Sequence, residues 1–387
     1  MDLEGTEAPI VWRGRRASAF VPTLLAERDL ALAPSASIAV GRALAGVEQG
    51  AAALPEDYAP LARLLLRAEG VASSYIEGVA APLLDVVLAE ADAVDEHTPA
   101  AWVAANLAAI SAAVDGAASA PLSVEVLCDW HRVLMAGSPT PARYVGVVRG
   151  EQGWIGGASP LDAHLVAPPP AELPRLLDDV IRHANRDDVD PIVQAAVVHA
   201  QFEVLHPFGD GNGRVGRILV AWVLVRRLAL LTAPPVSVRV AADVGGYTAG
   251  LTQFRYGMLD EWVRWFADTV SGAGQAQQDL VAAVDALRSR WHEQLAAPRD
   301  SERRLRSDAA AWKVLDLLPR HVVLSAPLVA TELGLPLKSA HAALADLVAA
   351  RVLVEHGAAR RSGRGRPPRL FTSPALLGLA GASPIHR

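Results

Sequence analysis

Cysteine is almost absent from this sequence, and so are the patterns that direct a chain into or across a membrane. The single cysteine, Cys128, cannot form an internal disulfide, and its place in the apolar run "VEVLCDWHRVLM" favours a buried structural thiol. No apolar run reaches the roughly 18 residues that a membrane-spanning helix needs. The first twenty residues lack the basic and then apolar pattern of a secretory signal. A reducing cytoplasm is therefore the expected location.

The net charge of −6 conceals an uneven distribution. Residues 301–387 carry 13 basic and 6 acidic side chains, a net charge of +7, which leaves −13 on residues 1–300. An acidic body with a basic C-terminal segment predicts different partners for the two parts. At 387 residues the chain is too long for one ordinary core, so two or three domains are expected.

Helical periodicity dominates up to about residue 290, with one interruption. The interruption, "RYVGVVRGEQGWIGG", alternates and is rich in glycine, which predicts a β-hairpin at residues 143–157. Pro168–Pro170 then lead into a helix starting near Glu172. We predict a mainly α fold with three parts: an N-terminal helical extension (residues 1–110), a helical core with a β-hairpin (residues 111–295) and a C-terminal domain (residues 305–387).

The C-terminal segment has the pattern of a winged helix-turn-helix. The stretch "LSAPLVATELGLPLKSAHAALADLVAARVLVEHG" predicts a helix, a turn centred on Gly334, a second helix and a strand. The residues that would open the recognition helix are Lys338, Ser339 and His341. The arginine-rich "ARRSGRGRPPRLFT" would form a wing along a phosphate backbone. DNA is therefore one expected partner; the alternatives are a protein contact and a wing that is merely solvated.

The stretch "HPFGDGNGRVGR", residues 206–217, interrupts the most apolar part of the chain with four glycines and several charged residues. Backbone N–H groups of Gly211, Asn212 and Gly213 at the start of a helix would bind an anion, and glycine lets the ligand approach closely. Arg214 and Arg217, three residues apart, would project from one helix face and bind two phosphates. The pattern predicts a polyphosphate site.

Two further residues of this stretch suit chemistry on a polyphosphate. Asp210 offers the carboxylate that Mg²⁺ needs when phosphate oxygens complete its coordination. His206 closes the preceding helix and would act as general base on an incoming hydroxyl. Each feature alone is weak, and a capped turn between two helices is the alternative interpretation.

The same stretch matches the complete Fic motif, His-x-Phe-x-Asp/Glu-Gly-Asn-Gly-Arg-x-x-Arg, and the chain resembles Fic-domain AMP transferases, which move AMP from ATP to a protein hydroxyl. The similarity covers roughly residues 15–290. Val148–Gly157 resembles the family's target-docking flap, and "GGYTAGLTQFRYGMLDEWVRWFADTV" resembles the segment that closes the nucleotide pocket. The implied fold is a Fic helical bundle with a β-hairpin flap. Relatives often pair through the Fic core, which leaves a homodimer open.

The resemblance also implies a role for each motif residue. His206 would take the proton of the target hydroxyl, Asp210 would hold Mg²⁺, and Phe208 would pack the loop onto the core. The implied nucleotide-binding residues are Gly211, Asn212 and Gly213 for the α- and β-phosphates, Arg214 for the leaving pyrophosphate, Arg217 for the γ-phosphate and Tyr247 for the base. For Tyr247, plain core packing is an equal alternative.

The stretch "SSYIEG", Ser73 to Gly78, reads on its own as a helix end capped by Gly78 with a solvated Glu77. Beside the motif it resembles the family's inhibitory helix, in which the glutamate pairs with the second motif arginine, here Arg217. That pairing would take the partner of the γ-phosphate and misalign ATP for attack. The resemblance therefore implies autoinhibition within one chain. The reverse reaction, removal of AMP, stays open.

Two other functions remain open at this point. The loop would also serve transfer of another group, such as uridylyl, phosphoryl or phosphocholine, although the intact Gly-Asn-Gly-Arg core disfavours phosphate transfer. Alternatively the protein is a DNA-binding regulator whose site only senses ATP, but a sensor has no need of His206. A protein target would add a strand to the edge of the flap, and this backbone pairing carries little information about the target's identity.

Overall fold

The chain is mainly helical in its computed structural model, which describes residues 5–54, 59–91, 95–297, 305–356 and 369–381. The helices are α1 (Pro34–Ala52), α2 (Ala59–Ile76), α3 (Leu83–Glu90), α4 (Pro99–Gly116), α5 (Val124–Leu134), α6 (Leu173–Ala184), α7 (Pro191–Leu205), α8 (Asn212–Leu228), α9 (Val236–Ala242), α10 (Val244–Arg255), α11 (Leu259–Ala296), α12 (Ala310–Leu317), α13 (Ala326–Leu333), α14 (Leu337–Ala349) and α15 (Pro374–Gly381). The strands are β1 (Thr6–Trp12), β2 (Arg15–Val21), β3 (Trp154–Ile155), β4 (Leu165–Val166), β5 (Val323–Leu324), β6 (Val354–His356) and β7 (Leu370–Thr372). They form three antiparallel sheets, β1–β2, β3–β4 and β5–β7–β6.

Two buried helices, α7 and α8, form the centre of the larger hydrophobic core. α7 begins after Asp190, whose carboxylate accepts hydrogen bonds from the N–H groups of Ile192 (2.8 Å) and Val193 (3.2 Å). Every residue from Ile192 to Leu205 is buried, so this helix has no solvated face. The large side chains packed in this core include Phe202, Trp222, Trp262 and Phe266. The loop between α7 and α8 is therefore attached at both ends to rigid structure.

The longest helix, α11, packs along α1 through small residues. A methyl group added at Gly274 of α11 would collide with the backbone of Gly46 in α1, so the close approach of the two helices requires glycine here. The C-terminal half of α11, including Trp291, enters a second hydrophobic core together with α12–α15. Leu61, Leu64 and Leu65 of α2 belong to this second core. The C-terminal segment thus shares its core with α2 and α11.

The C-terminal elements follow the order expected of a winged helix-turn-helix. The hydroxyl of Ser325 accepts a hydrogen bond in the first turn of α13, which ends at Gly334 with φ of 62°. The start of α14 carries the predicted Lys338, Ser339 and His341. Residues 359–368, most of the predicted wing, lie outside the described residues. The wing and DNA binding therefore stay predictions.

The β-structure differs in two places from the sequence prediction. Residues 143–157 were expected to hold both strands of a hairpin, but only β3 lies there, and its partner β4 comes from the segment expected to be merely extended. Gly156 and Gly157 have φ of 70° and 68° and begin the connecting loop, so these glycines turn the chain out of β3. The second difference is the N-terminal hairpin β1–β2, which pairs Thr6 with Val21 and was not predicted.

The cysteine and the apolar helices agree with the sequence analysis. Cys128 is half-buried against the larger core, and burial raises the pKa of its thiol, which suits a structural role. Among the described residues, no helix combines the length and the apolar character that crossing a membrane requires.

Candidate active site

The glycine-rich loop, residues 206–211, joins α7 to α8 through two residues in the left-handed region. His206 ends α7 with φ of 46°, and its N–H donates to the Phe202 carbonyl at 3.0 Å. Gly211, with φ of 73°, immediately precedes α8. The left-handed conformation is uncommon for a residue other than glycine, so the surrounding contacts must hold His206 in this position.

Asn212 closes the loop onto its own backbone. Its Oδ1 accepts from the Phe208 N–H at 2.8 Å, and its Nδ2 donates to the Phe208 carbonyl at 2.9 Å. The Phe208 ring is buried in the larger core, as predicted for a residue that packs the loop. The side chain of Asn212 is therefore committed to loop geometry, which leaves its backbone N–H at the start of α8 for a ligand.

His131 of α5 contacts the loop through Phe208 and the Asp210 carbonyl. The sequence analysis did not identify this residue. Its ring stacks on that of Phe208 with centroids 4.1 Å apart. Nδ1 accepts from the Gly146 N–H at 2.7 Å, so the proton is on Nε2, which donates to the Asp210 carbonyl at 3.0 Å. Burial lowers the pKa of His131 and favours this neutral form. His131 stands in an ordinary helical run without a motif around it, so no pattern in the sequence points to it.

The His206 imidazole borders a cavity of about 300 Å³ whose walls include Tyr144, Trp154 and Phe208. Burial, together with the charge of Arg149, lowers the pKa of His206 to about 4. The ring is therefore neutral near pH 7 and able to accept a proton. Its Nδ1 is buried, which leaves Nε2 as the nitrogen for a reacting group.

Arg149 fixes the flap, Val148–Gly157, to the glycine-rich loop. Its guanidinium donates to four backbone carbonyls, those of His206 (2.8 Å), Glu151 (2.7 Å), Pro168 (2.8 Å) and Leu205 (3.2 Å). Burial lowers the pKa of Arg149 to about 10, so the side chain keeps its charge. The sequence predicted the flap but gave this arginine no role.

Asp210 lies at the open side of the loop, where its two carboxylate oxygens each accept one hydrogen bond. Oδ1 accepts from the Gly211 N–H at 2.7 Å, and Oδ2 accepts from the Thr140 hydroxyl at 2.9 Å. The described residues contain no cluster of three or more His, Cys, Asp or Glu side chains suited to a metal ion. A single exposed carboxylate beside a turn that is predicted to bind phosphate fits Mg²⁺, which takes most of its ligands from phosphates and water.

Arg217 contacts the segment Ser73–Gly78, for which the sequence analysis predicted an inhibitory role. Its Nε donates to the Ser73 hydroxyl at 3.0 Å, and its Nη2 donates to the Ser73 carbonyl at 2.8 Å and to Glu77 Oε1 at 2.8 Å. The Arg217 side chain is only 4% exposed, whereas that of Glu77 is 35% exposed. The predicted contact between Glu77 and Arg217 is thus present in the structure.

The Glu77 carboxylate also covers the start of α8. A methyl group added at Gly213 would collide with this carboxylate. Glu77 follows the last residue of α2, and Gly78 turns the chain with φ of 75°. The acidic group therefore occupies part of the surface predicted to receive an anion.

Helix α2 is anchored at several points before it reaches Glu77. Asn106 of α4 donates to the Gly70 carbonyl and to the Ser74 hydroxyl, both at 3.0 Å. Glu69 accepts from the Ser237 N–H at 2.7 Å, and its carboxylate also pairs with the Ser237 hydroxyl. Burial raises the pKa of Glu69 to about 7. These buried polar contacts fix the axis of α2.

Tyr247 lies in a buried network behind Arg217. Its hydroxyl is 2.9 Å from His199 Nε2, and its ring packs among the aromatic rings of Trp262 and Trp265. Burial raises the pKa of the neighbouring Glu203 to about 8, and Oε1 of this residue has no hydrogen-bond partner among the described residues. Tyr247 therefore packs in the core, and a contact with the base of a nucleotide stays a prediction.

Arg214 lies on another side of α8. Its Nη2 contacts the sulfur of Met135 at 3.7 Å, and its Nε has no hydrogen-bond partner within the described part of the chain. The side chain is buried, and burial lowers its pKa. A buried guanidinium with an unused N–H group gains most from an anionic ligand.

Comparison with known proteins finds a family model that matches the region containing this site. Residues 121–224 match the model of the Fic/DOC family. A probable protein adenylyltransferase of Aquifex aeolicus is 44% identical over 59 residues, 15% of this chain and 18% of the relative. A protein adenylyltransferase of Caenorhabditis briggsae is 30% identical over 146 residues, 38% of this chain and 27% of the relative. The chain thus spans about a quarter or less of these two relatives.

The fold is similar to that of two solved bacterial proteins. A Fic family protein from Desulfovibrio desulfuricans superposes with a TM-score of 0.54 at 19% identity, covering 89% of this chain and 98% of the other. A Fic domain containing signaling protein from Bacteroides thetaiotaomicron gives a TM-score of 0.51 at 16% identity, covering 62% of this chain and 97% of the other. At these identities the likeness concerns the fold alone.

Proposed function

Because residues 121–224 form a domain of the Fic/DOC family, we propose that this chain transfers AMP from ATP to a hydroxyl side chain of a protein. The observation that carries the proposal is the position of His206, whose ring lines the cavity beside the flap and which belongs to the loop leading into the start of α8, the predicted phosphate site. A phosphorus atom held at the loop and a hydroxyl placed in the cavity would meet at this imidazole.

The proposed reaction is an in-line displacement at the α-phosphorus. His206 Nε2 takes the proton of the target hydroxyl, the oxygen forms a bond to the α-phosphorus, and the bond from that phosphorus to the bridging oxygen of pyrophosphate breaks. Backbone N–H groups at Gly211–Gly213 receive the α- and β-phosphates, and Arg214 receives the departing pyrophosphate. Asp210 would hold Mg²⁺, which neutralises the phosphate oxygens when bound.

Autoinhibition is the second part of the proposal. Its support is the 2.8 Å contact between Arg217 Nη2 and Glu77 Oε1, because that guanidinium is the predicted partner of the γ-phosphate. While Glu77 stays in place, its carboxylate both occupies Arg217 and repels a phosphate at the start of α8. ATP that binds under these conditions would hold its α-phosphorus out of line with the hydroxyl.

An autoradiographic transfer assay tests both parts. The wild-type chain, Glu77→Gly and Glu77→Gly/His206→Ala are incubated with Mg²⁺ and ATP labelled on the α-phosphate, with lysate or the chain itself as acceptor. We expect protein labelling by the Glu77→Gly variant alone. Glu48→Gly, at an exposed glutamate of α1, serves as the matched control and should remain as silent as the wild type.

Three results of the same assay would contradict part or all of this proposal. Equal labelling by wild type and Glu77→Gly would remove the autoinhibition and leave the transfer. Labelling from ATP marked on the γ-phosphate, with none from the α-phosphate, would replace AMP transfer by phosphoryl transfer. ATP binding without any labelled protein would favour the sensor alternative.

A further inference from the structure

The N-terminal hairpin, Thr6–Val21, is a long element that the larger core does not require. Its register pairs Trp12 with Arg15, so Arg13 and Gly14 form a two-residue turn. Both turn residues have positive φ, 47° and 79°, as in the tight turns that suit the twist of a hairpin. Most of its side chains toward this turn are exposed. Packing in the larger core therefore does not explain where this hairpin lies or which residues it carries.

The N-terminal hairpin packs against the flap beside the candidate active site. The Trp12 ring meets the Trp154 ring edge-on, with centroids 5.2 Å apart at an angle of 66°. Strand β2 also lies beside β4, the strand that pairs with the flap. Trp154 in turn lines the cavity that contains the His206 ring. Two tryptophans therefore connect the turn of the hairpin to the cavity.

The turn of the hairpin is strongly basic. Arg13, Arg15 and Arg16 are exposed and make no ion pair or hydrogen bond within the described ranges. The Arg13 guanidinium instead lies over the Trp12 ring, 5.6 Å from its centroid. No acidic residue occurs from residue 8 to residue 26, although residues 1–300 together carry a net charge of −13. Three neighbouring cations without an acidic partner repel one another, so their mutual electrostatic interaction does not favour folding.

Tyr144, which lines the same cavity, has one arginine and one glutamate beside it. The Arg143 guanidinium lies 4.6 Å from the ring centroid of Tyr144, which lines the cavity. Glu151 accepts a hydrogen bond from the Tyr144 hydroxyl at 3.4 Å. A segment that lies along the flap with its hydroxyl at His206 would lie near the arginines of the hairpin turn and near Arg143.

We infer that the N-terminal hairpin is a second docking element for the protein target, and that it selects targets whose acceptor hydroxyl is flanked by acidic residues. The inference rests on the proposed AMP transfer. Backbone pairing with the flap positions an extended segment without reading its side chains, whereas three arginines beside Trp12 distinguish acidic from neutral sequence. Acidic flanks would speed encounter and slow release, and both effects would weaken with salt.

The test uses fluorescent peptides, because direct binding does not depend on catalysis. Three twelve-residue peptides carry the same central Ser, Thr and Tyr and differ only in flanks of Glu, Gln or Lys. Fluorescence anisotropy with the full Glu77→Gly chain measures their affinity at about 50 mM and 300 mM NaCl. We expect the Glu peptide to bind about tenfold more tightly than the Gln peptide at low salt, with the Lys peptide weakest.

A triple variant assigns this preference to the hairpin. Arg13→Ser/Arg15→Ser/Arg16→Ser should reduce the affinity for the Glu peptide to that for the Gln peptide, without changing the Tm, because all three side chains are exposed. The matched control, Arg264→Ser/Arg290→Ser/Arg320→Ser, removes the same charge from exposed positions elsewhere and should keep the preference. Single-stranded oligo-dT is the competing probe.

Each remaining outcome decides against the inference. Equal binding of the Glu and Gln peptides, or a preference that survives in the hairpin variant, would overturn it. Oligo-dT binding that depends on the three arginines, without acidic-peptide binding, would reassign the surface to nucleic acid. Failure of this inference can be told apart from failure of the proposed function, because self-labelling of the Glu77→Gly variant tests AMP transfer without any peptide.

Discussion

Arg217 is held by two atoms of Ser73 and by the carboxylate of Glu77, and only the last of these partners is partly exposed to solvent. The buried part of this arrangement fixes where the guanidinium lies. The partly exposed partner, the Glu77 carboxylate, is the one that a ligand can replace at the guanidinium. Under the proposed function a phosphate would replace the Glu77 carboxylate at that position, and this exchange would require movement of a single side chain.

Removing only the charge of Glu77 should strengthen ATP binding. Glu77→Gln keeps the size of the side chain but loses its repulsion of a phosphate at the start of α8, so we expect the Kd for ATP to fall by about tenfold. Isothermal titration calorimetry with Mg²⁺ and ATP measures this change. Glu48→Gln, at an exposed position of α1, should leave the Kd unchanged. An unchanged Kd for Glu77→Gln would show that its carboxylate does not compete with ATP.

Loss of the Asn212 side chain should damage both stability and nucleotide binding. Asn212→Ala leaves the N–H and carbonyl of Phe208 unpaired inside the core, which costs about 2 kcal/mol of unfolding free energy. Asn185 makes the same two contacts with the backbone of Leu122, away from the loop. Asn185→Ala should therefore lower the Tm while the Kd for ATP is kept. Equal ATP affinity in both variants would show that the Asn212 side chain does not contribute to ATP binding.

The general base should stay active below the usual histidine range. A pKa of about 4 keeps the His206 imidazole neutral at pH 5, where an ordinary histidine is mostly protonated. For the Glu77→Gly variant we expect kcat/KM to remain nearly level from pH 8 down to about pH 5 before it falls. An acid limb centred near pH 6.5 would mean that the ring is not buried as described.

The buried carboxyl of Glu203 should make stability fall as the pH rises. The folded state keeps its proton up to about pH 8, whereas the unfolded chain loses it near the ordinary value of 4.5. The contribution of Glu203 is therefore fully present below pH 4.5 and is lost as the pH rises through 8. Relative to Glu203→Gln, the wild type should lose about 1.4 kcal/mol of unfolding free energy per pH unit across this window. Urea unfolding at pH 5, 6, 7 and 8 measures the difference, and parallel curves would contradict it.

The sequence predicted those features that local patterns determine. Apolar periodicity predicted the helices, and the spacing of His206, Asp210 and Arg217 predicted a loop that the structure indeed holds between α7 and α8. The contact of Glu77 with Arg217, 140 residues apart, followed from resemblance to a family and not from periodicity. His131 and Arg149 could not be found, because their roles arise from backbone groups that only the folded chain brings within reach.

The hairpins show where local patterns are insufficient. Both β3 and β4 are two residues long, and their pairing depends on how the intervening loop folds. The Arg13–Gly14 turn of the N-terminal hairpin contains one suitable glycine, but an arginine in the left-handed region is not a usual turn signal. Tertiary contacts such as that of Trp12 with Trp154 complete what the strands alone do not specify.

The double attachment of α2 has a consequence for how fast the site responds. A helix fixed by Asn106 and Glu69 and packed in the second core does not shift without exposing apolar surface, so its displacement would require slow, partial unfolding. Rotation of the Glu77 side chain needs no such step and takes place within nanoseconds. Under the proposed autoinhibition, the inhibited and open forms would exchange rapidly, and a population of one open molecule in a hundred would weaken the apparent affinity for ATP by about a hundredfold. Inhibition of this kind would raise the ATP concentration needed for activity, and the activity would depend only on the ATP concentration at that moment.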